Sequence, residues 1–118
     1  MPQTTTETGA KAERLVREYL EARGFRFLYQ NDRSGKYEID LVMEDGAYLV
    51  FVEVKARKSS RYGTPAAFVT PKKQARIIEA ASAYLAEYAC TERFVRFDVA
   101  EVYLCDGTVR HLPDAFRA

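Results

Sequence analysis

Tyr37-Glu38-Ile39-Asp40-Leu41-Val42-Met43-Glu44-Asp45-Gly46-Ala47-Tyr48-Leu49-Val50-Phe51-Val52-Glu53-Val54-Lys55 is the stretch that decides the fold. Two apolar runs flank Asp45-Gly46, a dipeptide typical of two-residue hairpin loops. Side chains alternate along a strand, so Ile39, Leu41 and Met43 share a side, as do Val50, Val52 and Val54. Glu38 and Asp40 then lie with Glu53, Lys55 and Arg57 on the other side. A turn at Asp45-Gly46 pairs Glu44 with Ala47, Ile39 with Val52 and Glu38 with Glu53, with Asp40 diagonal to Glu53.

Like charges opposite one another destabilise a sheet. A hard cation removes that repulsion, and a few carboxylate oxygens completed by water and phosphate are the usual ligands of Mg²⁺. Lys55 would sit beside such an ion, placed to neutralise charge on a phosphate or to orient a water. The competing reading is a solvated strand face with cross-strand ion pairs. The acidic residues interrupt strands that are otherwise apolar, which favours the ion site.

The totals fit one soluble domain covering residues 1–118. Apolar residues make up 47% and charged residues 30% of the chain, an ordinary globular balance. No apolar run is long enough for a membrane span, and no signal-peptide pattern opens the chain. Residues 1–7 read as a flexible N-terminus. Cys90 and Cys105 lack zinc spacing and read as reduced thiols of a cytoplasmic protein. The single histidine, His111, excludes a multi-histidine metal site. Net charge is only +1, but from Val54 to Ile78 there are seven basic residues and no acidic ones: Lys55, Arg57, Lys58, Arg61, Lys72, Lys73 and Arg76. A basic stripe beside an acidic cluster suits a polyanion held against a metal.

Around the hairpin, helical spacing of Ala12, Leu15, Val16, Tyr19 and Leu20 predicts a helix from about Glu7 to Arg23, stopped by Gly24. Glu13 lies at the edge of its apolar stripe and can point towards the carboxylates. Phe25 to Gln30 reads as a strand and Asn31 to Lys36 as a turn. Lys58 to Thr70 reads as a basic loop whose Tyr62 and Phe68 either stack on a base or pack the loop down. Thr70 and Pro71 open a second helix that runs to about Tyr88, with Ile77, Ile78, Ala81, Tyr84, Leu85 and Tyr88 facing the core. Lys72, Lys73 and Arg76 crowd its positive end, an arrangement that a bound phosphate would relieve. Gln74 projects from the same turn. Arg93 to Leu104 is a strand in which Asp98 pairs with Arg96 or Arg57. Asp106-Gly107 turns into Thr108 to Leu112, and Pro113 to Ala118 is a short tail.

The order α-β-β-β-α-β-β, with Ile39-Asp40 followed by Glu53-Val54-Lys55, resembles the PD-(D/E)XK nuclease superfamily. Six blocks resemble the YraN-type family of small bacterial candidate endonucleases. They are Tyr37 to Val42, Val50 to Arg57, Tyr62 to Pro65, Val69 to Gln74, Arg96 to Val99 and His111 to Phe116. That family shows glycine where this chain has Ala12 and Tyr37. The resemblance implies a restriction-endonuclease-like α/β fold, three layers (α/β/α) around a central mixed sheet. It also implies a catalytic constellation of Glu13, Asp40, Glu53 and Lys55.

The expected activity is Mg²⁺- or Mn²⁺-dependent hydrolysis of phosphodiester bonds in DNA. Asp40, Glu53, the Val54 carbonyl and Glu13 hold the metal, with Glu38 assisting directly or through water. Arg57, Lys58, Arg61, Lys72, Lys73, Gln74 and Arg76 hold flanking DNA. Without a base-reading motif, recognition is expected to follow DNA structure, such as a branch or Holliday junction, rather than sequence. Neither a small-molecule cofactor nor a membrane is implied, and a homodimer is compatible with the chain. The alternatives are a non-catalytic nucleic-acid-binding module and a subunit of a repair or uptake assembly.

Overall fold

The structure is a computed structural model that describes residues 5–57 and 69–118. Its elements are α1 (Thr5–Ala22), β1 (Arg26–Asp32), β2 (Ile39–Asp45), β3 (Tyr48–Arg57), α2 (Pro71–Glu87), β4 (Phe94–Tyr103) and β5 (Thr108–Phe116). They form an α/β fold with one five-stranded sheet in the order β1-β2-β3-β4-β5. Every neighbouring pair is antiparallel except β3–β4, which is parallel because α2 carries the chain back between them.

The two helices cover opposite faces, giving three layers. Ala12, Val16 and Leu20 recur at four-residue spacing on α1 and pack on Leu41, Met43, Val50, Val52, Ala100 and Val102. On the other face Ile77, Ala80, Ala81 and Tyr84 of α2 pack on Val42, Leu49, Phe51, Phe97 and Val99. The helix ends follow local chemistry. Gly24 (φ 94°) closes α1 in a Schellman pattern, with Phe25 N–H donating to Leu20 C=O and Gly24 N–H to Glu21 C=O. At α2 the Thr70 side chain accepts from the Lys73 N–H, and Pro71 occupies the first helical position.

Several expectations are corrected. The hairpin loop is Gly46-Ala47, with Asp45 opposite Tyr48 and Leu41 opposite Val52. Gly46 alone takes positive φ (58°), so glycine fills the first loop position, as in a II′ turn, rather than the second. The register therefore shifts by two residues. Because the side-chain period is two, the faces survive, but Asp40 moves from diagonal to directly opposite Glu53. Alternation also fails at one place. Ile39 packs in the α2 core and Leu41 in the α1 core, so β2 rotates about Asp40, where its ladder with β3 ends.

Boundaries differ too. α1 starts at Thr5, inside the expected flexible N-terminus, and β1 extends through Asn31 and Asp32. The expected tail after Leu112 continues β5 to Phe116, whose ring stacks on Phe97 at 5.0 Å. Tyr88 leaves the core because the helix stops at Glu87. It stacks instead on Tyr29 of the edge strand at 4.8 Å, both rings largely exposed. The loop from Lys58, with Arg61, Tyr62 and Phe68, lies outside the described residues. Cys90 and Cys105 are free.

Asp98 ties the strands together. It is fully buried and accepts from Arg96 (2.9 Å to each oxygen), from the Asp114 N–H (2.9 Å), and pairs with His111 Nε2 at 2.7 Å. Arg96 also reaches Asp45 at 2.8 Å, which links β4 to the hairpin turn. Arg57, the other expected partner of Asp98, pairs with Glu101 instead. Burial alone would raise the Asp98 carboxyl, but the hydrogen bonds from His111, Arg96 and Asp114 outweigh it and hold it below the usual range. Asp98→Ala leaves Arg96 with Asp45 alone and takes the partner from His111 and the Asp114 N–H, and should cost about 3–5 kcal/mol in urea denaturation. The Asp98 contribution should be intact above the ordinary aspartate range and lost as pH falls through the depressed value.

Candidate metal centre

Glu13 comes from α1, Glu38 from the segment before β2, Asp40 from β2 and Glu53 from β3. The amphipathic spacing of α1 buries Glu13 beside Ala12 and Val16, over the end of the sheet. The rotation of β2 aims Asp40 at the same end. One carboxylate oxygen from each of Glu13, Glu38 and Asp40 lies within 4.8 Å of the others. Glu53 lies outside that triad. It is opposite Asp40 by continuation of the ladder, and its Oε2 is 3.6 Å from Lys73 Nζ.

Each acid of the triad meets a protein donor. Gln30 Nε2 donates to Glu13 (3.2 Å), Arg33 Nε to Glu38 (3.2 Å), and the Val54 N–H to Asp40 Oδ2 (2.8 Å). Arg33 pairs with Glu38 as a cation, but the donors to Glu13 and Asp40 are neutral groups. Burial, then the charge of Glu53, pushes the Asp40 carboxyl up to about 8 against the opposing Val54 bond. Burial, then Asp40, raises Glu13 to about 7. Two acids that hold protons near neutrality at one sheet end mark a functional candidate.

The donor set fits a hard divalent ion. Oxygens around one Mg²⁺ are about 3 Å apart when adjacent and about 4 Å when opposite, so the triad would draw together to hold one ion. Glu38, read from sequence only as an assistant, is therefore a full member of the converging group, whereas Glu53 is held beside it by Lys73. Val54 contributes its N–H to Asp40. Lys55 is half-buried and makes no ion pair with a described residue. At the start of α2, Lys72, Lys73 and Arg76 are exposed, while Gln74 turns inward to donate to the Val69 carbonyl at 2.8 Å. Arg76 lies over the Tyr37 ring at 5.5 Å, beside Glu38.

Sequence reading overlooked Glu101. It interrupts the apolar run Val99-Ala100-Glu101-Val102 as Asp98 does three residues earlier, and that interruption was the available signal. Its carboxylate is fully buried against Arg57 (3.1 Å) and Tyr103 (3.2 Å).

Comparison with known proteins places the chain. A family model described as uncharacterised protein family UPF0102 matches residues 12–102, which include all four acids of the site. A UPF0102 protein of Symbiobacterium thermophilum is 47% identical over 94 residues, 80% of each chain. One from Chlorobium chlorochromatii is 42% identical over 98% of this chain and 95% of its own. One from Klebsiella pneumoniae is 41% identical over 97% of this chain and 89% of its own. A match of this extent, with relatives of similar length, makes the chain a member of the uncharacterised protein family UPF0102.

Proposed function

We propose that the chain is a metal-dependent nuclease that hydrolyses phosphodiester bonds in DNA. The observation that carries this reading is the convergence of Glu13, Glu38 and Asp40, with Glu53 opposite Asp40. Asp40 and Glu13 are buried beside like charges, a cost that a bound cation would remove. Glu13, Glu38 and Asp40 would hold Mg²⁺ or Mn²⁺, with Glu53 and the Val54 carbonyl as the further ligands. A divalent ion at that position supplies an acidified water and charge neutralisation at the phosphate.

The chain's own groups supply the rest. Lys55, two residues beyond Glu53 on the same side of β3, faces the place where negative charge builds up on the phosphate. Lys72, Lys73 and Arg76 stand at the N-terminal turn of α2, where backbone and side-chain charge both attract phosphate. The pairing of Lys73 with Glu53 favours a second reading, a DNA-binding module without turnover, because it neutralises one of the acids internally.

Labelled duplex, flap and four-way junction DNA incubated with Mn²⁺ should be cleaved by the wild type and not by Asp40→Ala. Lys55→Ala should be slower by about 10²–10³-fold. Equal products from all three proteins rule the nuclease out, and tight binding without product selects the module.

Stability carries a second signature. Asp40 and Glu13 stay protonated in the folded chain above their ordinary values of 3.8 and 4.5, up to about 8 and 7. The unfolded chain releases those protons earlier, so stability falls as pH rises through that window and levels off above it. Mn²⁺ should raise Tm more at pH 8.5 than at pH 5, measured by scanning calorimetry. Asp40→Asn should flatten both the pH slope and the Mn²⁺ response.

A further inference from the structure

Glu101 is a buried carboxylate with no part in the reaction proposed above. Its side chain is 0% exposed, and three groups face it: Arg57 Nε at 3.1 Å, the Tyr103 hydroxyl at 3.2 Å and Arg110 at 4.0 Å. Strand pairing puts Lys55 of β3 and Arg110 of β5 on either side of it. Lys55, Glu101 and Arg110 thus form one row across three strands, on the face that carries Glu53. Arg57 belongs to the next row.

One partner is enough to neutralise one carboxylate. Here Arg57 and Arg110 both reach towards it while staying 33% and 50% exposed. A guanidinium bound through Nε keeps further N–H donors on its outer edge, in the geometry that suits phosphate. A buried anion beneath holds Arg57 in place, which lowers the ordering cost of binding. Rise along β3 puts the Lys55 row about 7 Å, and the Arg57 row about 13 Å, from Glu53. Arg110 is two strand spacings away, about 10 Å. These groups therefore meet a different phosphate from the one at Asp40.

We propose that Arg57 and Arg110, seated over Glu101, form a second phosphate-binding site for the DNA backbone, at a nucleotide removed from the reacting bond. The proposal rests on the nucleic-acid reading above and adds β5 to the interface. Arg76 stands near β2 and Arg110 on β5, so basic groups flank the carboxylates across the sheet and the strand continues past the metal centre on both sides.

The test is fluorescence anisotropy of a labelled DNA duplex in EDTA across a salt series, which needs no turnover. Arg110→Ala should weaken binding and reduce the slope of log K against log salt by about one. Arg57→Ala is made together with Glu101→Gln, so that no unpaired carboxylate is buried, and should lose about one as well. Arg26→Ala, at the far end of β1, should keep the wild-type slope. A wild-type slope in the Arg110 and Arg57 variants overturns the proposal, as does an equal loss with Arg26→Ala. No wild-type binding at any salt also overturns it, while Mn²⁺ calorimetry on the full chain decides the metal centre separately.

Discussion

Along β3, Leu49, Val50, Phe51 and Val52 are successive residues with 1% exposure or less. Both faces of that strand must be covered, and the molecule is arranged to do it. α1 covers Val50 and Val52, and α2 covers Leu49 and Phe51. A helix that returns across a sheet between neighbouring strands makes them parallel, so β4 lies parallel to β3. Placing the two helices on opposite faces is also what brings Glu13 and Lys73 to the same sheet end from opposite sides.

The polar groups inside this frame divide by how they are neutralised. Asp98 is enclosed by Arg96, His111 and a backbone N–H, so its carboxyl is depressed and serves the structure. Asp40 and Glu13 are buried among like charges, so their carboxyls are raised. Burial acts the same way on all three; the hydrogen bonds donated to Asp98, against the like charges beside Asp40 and Glu13, decide the outcome. Glu101 resembles Asp98 in being paired, but its arginine partners are partly exposed.

Asp40 owes its position to the register of the hairpin and to a rotation of its strand. The loop at Gly46-Ala47 moves the register by two residues and brings Asp40 opposite Glu53. The rotation between Ile39 and Leu41 ends the ladder there, and the Val54 N–H turns to the Asp40 carboxylate. A strand that stayed in register past this point would use that N–H elsewhere and confine Asp40 to one face, out of reach of α1.

The order of elements, the two helices and, from Leu41 onward, the faces of the β2–β3 hairpin were readable from the sequence. Helical spacing at Ala12, Val16 and Leu20, the cap at Thr70-Pro71 and strand alternation are local rules that operate within a few residues. Alternation is insensitive to a two-residue slip, which is why Asp40 and Glu53 were placed on one side despite the wrong loop position. The tertiary structure alone decided that Glu38 joins Glu13 and Asp40, that Lys73 pairs with Glu53 beside them, that Asp98 takes Arg96 rather than Arg57 and adds His111, and that Glu101 is sealed beneath Arg57 and Arg110. Those outcomes depend on which face each helix covers and on where a ladder ends, and both are set by packing between segments distant in sequence.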